Sequence, residues 1–224
     1  MQSRDRLIVA IDRSSRDDIL RLADALHGVA GVFKLGLQAF IANGPAIVRD
    51  IADRGEKVFL DLKIHDIPNT ARKAVAQAVS SGVSMLTVHA SGGEAMLRAC
   101  AASDIVVLGV TVLTSLDDRQ LHEIGFSGTV VDTTVRLALL SARCGLRGVV
   151  ASPQEIRPIR EACGRELLIV TPGIRLDGQT DDQRRTATPA AAIAAGADYI
   201  VVGRPITDAA NPRGAAQAIV DSLP

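Results

Sequence analysis

Short runs of Val, Ile and Leu recur along the chain, separated by longer stretches in which apolar residues return every three or four positions. The strand-like runs fall at 6–11, 32–35, 57–62, 83–89, 105–113, 147–151, 167–171 and 199–202. Most are continuous apolar runs rather than strict alternations, the pattern of parallel strands covered on both faces. Several intervening segments carry helix start signals. Ser14-Ser15-Arg16-Asp17-Asp18 precedes the apolar stripe Ile19, Leu22, Ala23 and Leu26. Ser152-Pro153-Gln154-Glu155 places a capping residue before a first-turn proline and an early carboxylate, and Thr188-Pro189 repeats the arrangement. Gly82, Gly145 and Gly196 stop three helices just before the following strand. The last helix is predicted from about 212 to 223.

Eight strands and eight helices over 224 residues average 28 residues per βα unit. No Ser/Gly linker, charge block or low-complexity tract interrupts them. The pattern predicts an α/β chain folded as a single (β/α)8 TIM barrel, one catalytic domain spanning 1–224, with right-handed crossovers. A doubly wound open sheet is the alternative. The first βα turn, Ala10-Ile11-Asp12-Arg13-Ser14, lacks the Gly-x-Gly-x-x-Gly fingerprint of a dinucleotide fold, which favours the barrel.

Composition narrows the partners. Lys and Arg number 25 and Asp and Glu 25, so no overall positive field exists to hold nucleic acid or an anionic membrane. Aromatic residues make up only 2%, with one Tyr and no Trp, which argues against a base-stacking platform. Cys100, Cys144 and Cys163 are far apart and odd in number, suggesting neither a disulfide framework nor a zinc knuckle, and fitting a reducing compartment. The first apolar run, 7–11, is too short for a signal-peptide core, and no stretch approaches a membrane span. A cytoplasmic location is expected.

In a barrel of this kind chemistry gathers at the C-terminal ends of the strands. Those ends carry Asp12 after the first strand, Lys34 in the second, Asp61 and Lys63 in the third and His89 in the fourth. Burying so many charges is costly unless they pair with one another. Such a cluster is either a structural lattice or a preorganised electrostatic site. Asp61 and Lys63, two apart on one strand, are expected to point together into the barrel mouth while Leu62 faces the helices. A carboxylate so placed can keep the lysine charged and aim its proton. Pro68 is expected in the first turn of a helix that carries Asn69 and Thr70.

The ends of strands seven and eight, Thr171-Pro172-Gly173-Ile174-Arg175 and Gly203-Arg204, have the make-up of a phosphate site. Gly203 lets a ligand approach the backbone, and Arg204 offers a forked cation. The polar stretch 175–185 is long for a loop within a compact domain, a length that often marks a lid.

The block Asp61-x-Lys63-x-x-Asp66-Ile67-Pro68-Asn69-Thr70 resembles the signature of the orotidine 5′-monophosphate decarboxylase family. The resemblance covers nearly the whole chain. Leu7-Ile8-Val9-Ala10-Ile11-Asp12, Phe33-Lys34-Leu35-Gly36, Thr87-Val88-His89-Ala90, Val110-Thr111-Val112-Leu113-Thr114-Ser115, Thr171-Pro172-Gly173-Ile174-Arg175 and Val202-Gly203-Arg204-Pro205-Ile206 follow in the family's order. The wider superfamily shares only the Asp-x-Lys-x-x-Asp core, so the Ile-Pro-Asn-Thr extension and the phosphate elements narrow the assignment.

The resemblance implies a cofactor-free and metal-free decarboxylation of orotidine 5′-monophosphate to uridine 5′-monophosphate, a step of pyrimidine biosynthesis. Lys63 would protonate carbon 6, Asp61 would lie beside the departing carboxylate, and Lys34 would link the charged array to the ribose hydroxyls. Asp12 would also bind ribose, and Thr114 would contact the pyrimidine edge. Gln183, with Gln179 as the alternative if the register slips, would bridge base and phosphate. Arg175, Gly203 and Arg204 would complete phosphate binding. Asp66, Ile67 and Thr70 would reach the neighbouring subunit's site, making a homodimer with shared active sites. The alternative is a related sugar-phosphate decarboxylase or aldolase that uses magnesium through a carboxylate near the first or second strand. Lys34 at that place in strand two disfavours it. A non-catalytic phosphoester-binding barrel would be expected to have lost one of these charged residues, and none is lost.

Overall fold

A computed structural model of the protein describes residues 2–175 and 186–224. Eight parallel strands close on themselves in chain order: β1 (Leu7–Ala10), β2 (Val32–Gly36), β3 (Val58–Ile64), β4 (Val83–His89), β5 (Val106–Val110), β6 (Gly148–Val150), β7 (Leu168–Thr171) and β8 (Tyr199–Val202). β8 pairs back onto β1 with Leu7 opposite Ile200. The single (β/α)8 barrel expected from the sequence is therefore the architecture observed.

Its helices are α1 (Arg16–Leu26), α2 (Leu37–Asn43), α3 (Ala46–Ala52), α4 (Pro68–Ser80), α5 (Gly93–Ala101) and α6 (Asp118–Glu123). They continue with α7 (Val130–Arg143), α8 (Ile156–Cys163), α9 (Pro189–Ala195), α10 (Arg204–Thr207) and α11 (Pro212–Asp221). The sequence pattern suggested one helix per unit, but the units after β2, β5 and β8 each carry two. Local chemistry explains the breaks. Gly44, at φ 64°, and Pro45 end α2 and restart the chain as α3. Asn211 caps a fresh start at Pro212 by accepting from the Gly214 N–H. The predicted caps are in place: the Ser15 and Thr188 side chains accept from the N–H groups of Asp18 and Ala191. Ser152 and Glu155 cap reciprocally, but around a short 3-10 turn that precedes α8. The stops at Gly82, Gly145 and Gly196 all have positive φ.

The continuous apolar strands serve two cores. Ile8, Ala10, Val32, Phe59, Met85, Leu108, Val170 and Val201 fill the barrel interior. Their sequence neighbours, such as Leu7, Val9, Phe33 and Leu60, pack outward against the helices. Full burial of one such side chain contributes about 1.5–3 kcal/mol, so this double layer provides a rigid wall for the polar groups at the strand ends. Fold and charge cluster meet at the top of the interior, where the next inward positions, Lys34 beyond Val32 and Asp61 beyond Phe59, are charged.

Two strands differ from their expected limits by more than one residue at an end. β5 ends at Val110, three residues short of the expected limit, and the next residue, Thr111, donates both its N–H and its hydroxyl to the Val150 carbonyl, at 3.3 and 2.8 Å. β3 runs on to Ile64, beyond the expected end at Leu62, because it contains an irregularity that the alternation pattern does not encode. Among the described residues, no helix is long and apolar enough to cross a membrane.

Candidate active site

The irregularity in β3 shapes the site. Leu60 pairs with Leu86 and Ile64 with Val88, so β3 uses four steps where β4 uses two. β-bulges of this kind re-aim side chains and are common beside active sites. Leu62 and Ile64 keep their outward packing against the helix layer. Lys63, between them, has φ 53° and is the only non-glycine residue with positive φ among those described. Such a conformation costs on the order of 1–3 kcal/mol and persists only where neighbours enforce it. Thr87 of β4 supplies the enforcement. Its hydroxyl accepts from the Lys63 N–H at 2.9 Å and donates to Asp61 Oδ1 at 2.9 Å.

The bulge brings the Lys63 ammonium to 3.0 Å from both oxygens of Asp61. The expected convergence of these two side chains is therefore present, but a bulge produces it rather than plain strand alternation. Lys34 arrives from β2, where it follows the interior residue Val32, and its Nζ lies 3.5 Å from Asp61 Oδ2 and 3.5 Å from Asp12 Oδ1. The array runs from Asp12 through Lys34 and Asp61 to Lys63, with alternating sign. Its inner members are well covered, with 12% and 14% of the Lys34 and Asp61 side chains exposed, whereas Asp12 is 55% exposed.

Burial pushes the Asp61 carboxyl up, but the Lys34 and Lys63 charges and the hydrogen bonds from Lys63 and Thr87 outweigh it, holding the pKa below the ordinary value. Two unit charges about 4 Å apart attract by roughly 4 kcal/mol at an effective dielectric of about 20, so two ammonium groups readily offset the loss of water. Asp61 stays an anion inside the barrel mouth. Gly36 leaves room for this array: a Cβ there would lie 3.1 Å from Asp12 Oδ1 and 3.3 Å from Lys34 Nζ.

These groups face a cavity of about 260 Å³ floored by Phe59, Val170 and Val201. Across it stand Thr114, Arg175, Gly203 and Arg204. The Arg175 N–H donates to the Ala187 carbonyl, and the Ala187 N–H donates to the Gly173 carbonyl, so the chain is pinned on both sides of 176–185. Gly203 would have ordinary contact distance to Ala10 if it carried a Cβ, 3.5 Å, so packing inside the protein does not demand a glycine there.

One cavity thus gathers Asp12, Lys34, Asp61, Lys63, Thr114, Arg175, Gly203 and Arg204. It does not gather Asp66, Ile67 and Thr70, which lie exposed at the start of α4, with Asp66 Oδ1 accepting from the Ile67 N–H at 2.7 Å. Gln183 and the alternative Gln179 lie outside the described residues. His89 ends β4 half-buried, its ring centroid 5.5 Å from that of His65. Burial, with help from His65 and Lys63, lowers its pKa against the opposing pull of Asp61. Sequence reasoning did not single out Thr87 and Gly36, which lie directly against the charged array. The available signals were a polar residue at an inward position of an apolar strand, and a glycine two residues beyond a site lysine.

Comparison with known proteins gives a consistent result. Residues 5–219 match the family described as Orotidine 5′-phosphate decarboxylase / HUMPS. The chain is 50% identical over 236 aligned positions to the orotidine 5′-phosphate decarboxylase of Moorella thermoacetica, covering 100% of this chain and 94% of that protein. It is 48% identical to the enzyme of the same name from Heliobacterium modesticaldum, covering 100% and 97%. Among solved structures, orotidine 5′-phosphate decarboxylase from Lactobacillus acidophilus superposes with a TM-score of 0.88 at 33% identity, covering 97% of this chain and 98% of that one.

Proposed function

Because the chain belongs to the orotidine 5′-phosphate decarboxylase / HUMPS family, we propose that it converts orotidine 5′-monophosphate to uridine 5′-monophosphate and carbon dioxide without a cofactor. The observation that carries this reading is the Lys34–Asp61–Lys63 array facing Arg175 and Arg204 across one cavity. One side offers fixed charges for a reacting carboxylate, and the other offers cations for a phosphate.

The chemistry follows from these groups. As the bond from carbon 6 to the carboxylate breaks, its electron pair stays on carbon 6 in an sp² orbital with no conjugated sink. The Lys63 ammonium stabilises that charge and delivers a proton to the same atom, then recovers one from solvent. Asp61, ionised and buried, holds the Lys63 side chain in place through both its oxygens and stands beside the departing carboxylate. Lys34 and Asp12 take the ribose hydroxyls, Thr114 the pyrimidine edge, and Arg175, Gly203 and Arg204 the phosphate. Enzymes lower barriers by about 8–23 kcal/mol, more than a single lysine supplies, so binding energy at the distant phosphate is spent at the reacting carbon. Gln183 would bridge base and phosphate.

Asp66, Ile67 and Thr70 lie outside their own chain's cavity, which supports their delivery to the site of a second copy. Ile67 is 68% exposed, and the neighbouring unit presents Leu37 and Ile41 at 50% and 78%. Apolar side chains so exposed at one rim favour a homodimer that covers them.

The alternative, a magnesium-dependent sugar-phosphate enzyme of the same superfamily, needs a divalent ion between carboxylates. Here the Lys34 ammonium lies between Asp12 and Asp61, 3.5 Å from each, and its positive charge opposes a cation there. Following the loss of orotate absorbance with purified protein tests the main reading. Turnover is expected in the presence of a chelator and is expected to be lost in Lys63→Ala. Undiminished turnover by that variant sinks the proposed mechanism, and chelator-sensitive turnover of a sugar phosphate replaces it with the alternative.

A further inference from the structure

We propose that Thr87 is a positioning residue for this decarboxylation, holding the Lys63 backbone in its bulge and the Asp61 carboxylate beneath the Lys63 ammonium through one hydroxyl. The inference rests on the proposed reaction and deepens the account of how its proton donor is aimed.

Three observations carry it. Thr87 is fully buried, on the inward side of β4 between the interior residue Met85 and His89, and it does not line the cavity. Its hydroxyl makes two hydrogen bonds of 2.9 Å, one to the backbone of Lys63 and one to the side chain of Asp61. The residue it holds, Lys63, has the disfavoured backbone conformation, at φ 53°. The direction of both bonds is fixed by chemistry. An amide N–H only donates and a carboxylate only accepts, so the hydroxyl must receive from Lys63 and give to Asp61. No other assignment satisfies both partners.

The consequence is a single linkage between two variables the reaction needs. The bond to the Lys63 N–H stabilises the left-handed conformation from which the side chain reaches Asp61. The bond to Asp61 favours its ionised form and fixes which oxygen faces β4. Without the hydroxyl, the Lys63 N–H and one carboxylate lone pair lose their partner together, and the backbone is free to relax toward the extended region. A shift of the ammonium by about 1 Å is enough to cost on the order of a hundredfold in rate.

The test compares Thr87→Val, which keeps the shape and removes the hydroxyl, with Thr87→Ser, which keeps the hydroxyl. For Thr87→Val, kcat is expected to fall about ten- to a hundredfold, while KM, dominated by the distant phosphate, stays within about threefold. The acid limb of its kcat/KM profile moves to higher pH, because Asp61 has lost a bond that favours the anion. Thr87→Ser is expected to recover most of kcat and the parent pH profile. A crystal structure of Thr87→Val is expected to show Lys63 out of the positive-φ region. The proposal is overturned if Thr87→Val retains parent kcat with Lys63 unchanged, or if Thr87→Ser fails as badly as Thr87→Val. Failure of the parent enzyme to decarboxylate orotidine 5′-monophosphate would instead strike the proposed function, and the Lys63 backbone in the variant structure would still decide the role of Thr87.

Discussion

The Lys34 ammonium on β2 lies 3.5 Å from Asp61 Oδ2 on β3, so one carboxylate is shared between Lys34 and the Lys63 ammonium 3.0 Å away. Removing the charge of Asp61 leaves two like charges facing each other with nothing between them. Asp61→Asn is expected to lower kcat by about a hundred- to a thousandfold, the loss typical of a preorganised electrostatic group. Steady-state kinetics on the purified variant measures it, and a loss below tenfold would refute a central role for this carboxylate.

Gly36 is close to the Asp12–Lys34 pair, and its φ of −91° and ψ of −172° suit any residue. The effect of a side chain there is therefore one of space and not of backbone strain. Gly36→Ala is expected to raise KM several-fold, as Asp12 is pushed from its place, with kcat changed less. Gly36→Val should raise it further. Equal KM values in all three proteins would remove the steric argument.

Two groups at the barrel mouth, His89 and Asp61, contribute to the acid sensitivity of the fold. His89 has a pKa below its ordinary value of about 6.5, so in the window just below that value the unfolded chain binds the proton and the folded one resists it. Stability therefore falls as pH drops through that window. The Asp61 carboxyl is also depressed, so its contribution is present above the ordinary carboxylate range and is lost as pH falls through its folded value. Thermal melts from pH 7 to 5 should show a shallower decline for His89→Phe than for the parent. Parallel curves would exclude His89 as a source.

If Asp66 serves the neighbouring site, Lys63→Ala and Asp66→Ala are inactive for different reasons and each carries what the other lacks. Mixing the two under conditions of subunit exchange should restore about a quarter of the parental sites, because half the dimers are mixed and one of their two sites is intact. An activity assay on the mixture, with each variant alone as control, decides it. No gain on mixing counts against shared sites.

At the opposite end of the barrel, Arg160 ties several segments together. It donates to the carbonyls of Gly196, Gly164 and Leu167 and pairs with Asp198, whose carboxylate also accepts from the Ile169 N–H at 2.8 Å. Arg160→Met is expected to cost about 3–5 kcal/mol, the usual penalty for breaking a largely buried pair. Conservation of kcat at temperatures well below the new melting point is expected, since the strand N-terminal end carries stability and not chemistry. A melting temperature equal to the parent's would contradict this.

The barrel was legible in the sequence because unbroken Val/Ile/Leu runs are a direct consequence of strands covered on two sides, as Leu7 and Ile8 illustrate by packing into different cores. The charged positions were legible because strand ends converge in any such barrel, which is how Lys34 and Asp61, 27 positions apart, could be assigned to one site. Paired helices were less visible, since a break such as Gly44-Pro45 reads equally as a loop. The role of Thr87 was not visible at all. It depends on a register shift between β3 and β4, and a shift of pairing leaves no periodic trace in either strand taken alone.

The two additional residues in β3 have a consequence for the motif as a string of letters. Side chains on a strand alternate, so an even surplus returns Ile64 to the same side of the wall as Leu60, whereas an odd one would send it into the barrel mouth. A single insertion or deletion between Asp61 and Ile64 would expose a helix-facing residue to the charged array and displace Lys63 at once. The interval between the aspartate and the lysine is thus governed by a parity rule of the sheet. A fixed spacing that reads as a catalytic signature is, in equal measure, the count that lets the barrel wall close behind it.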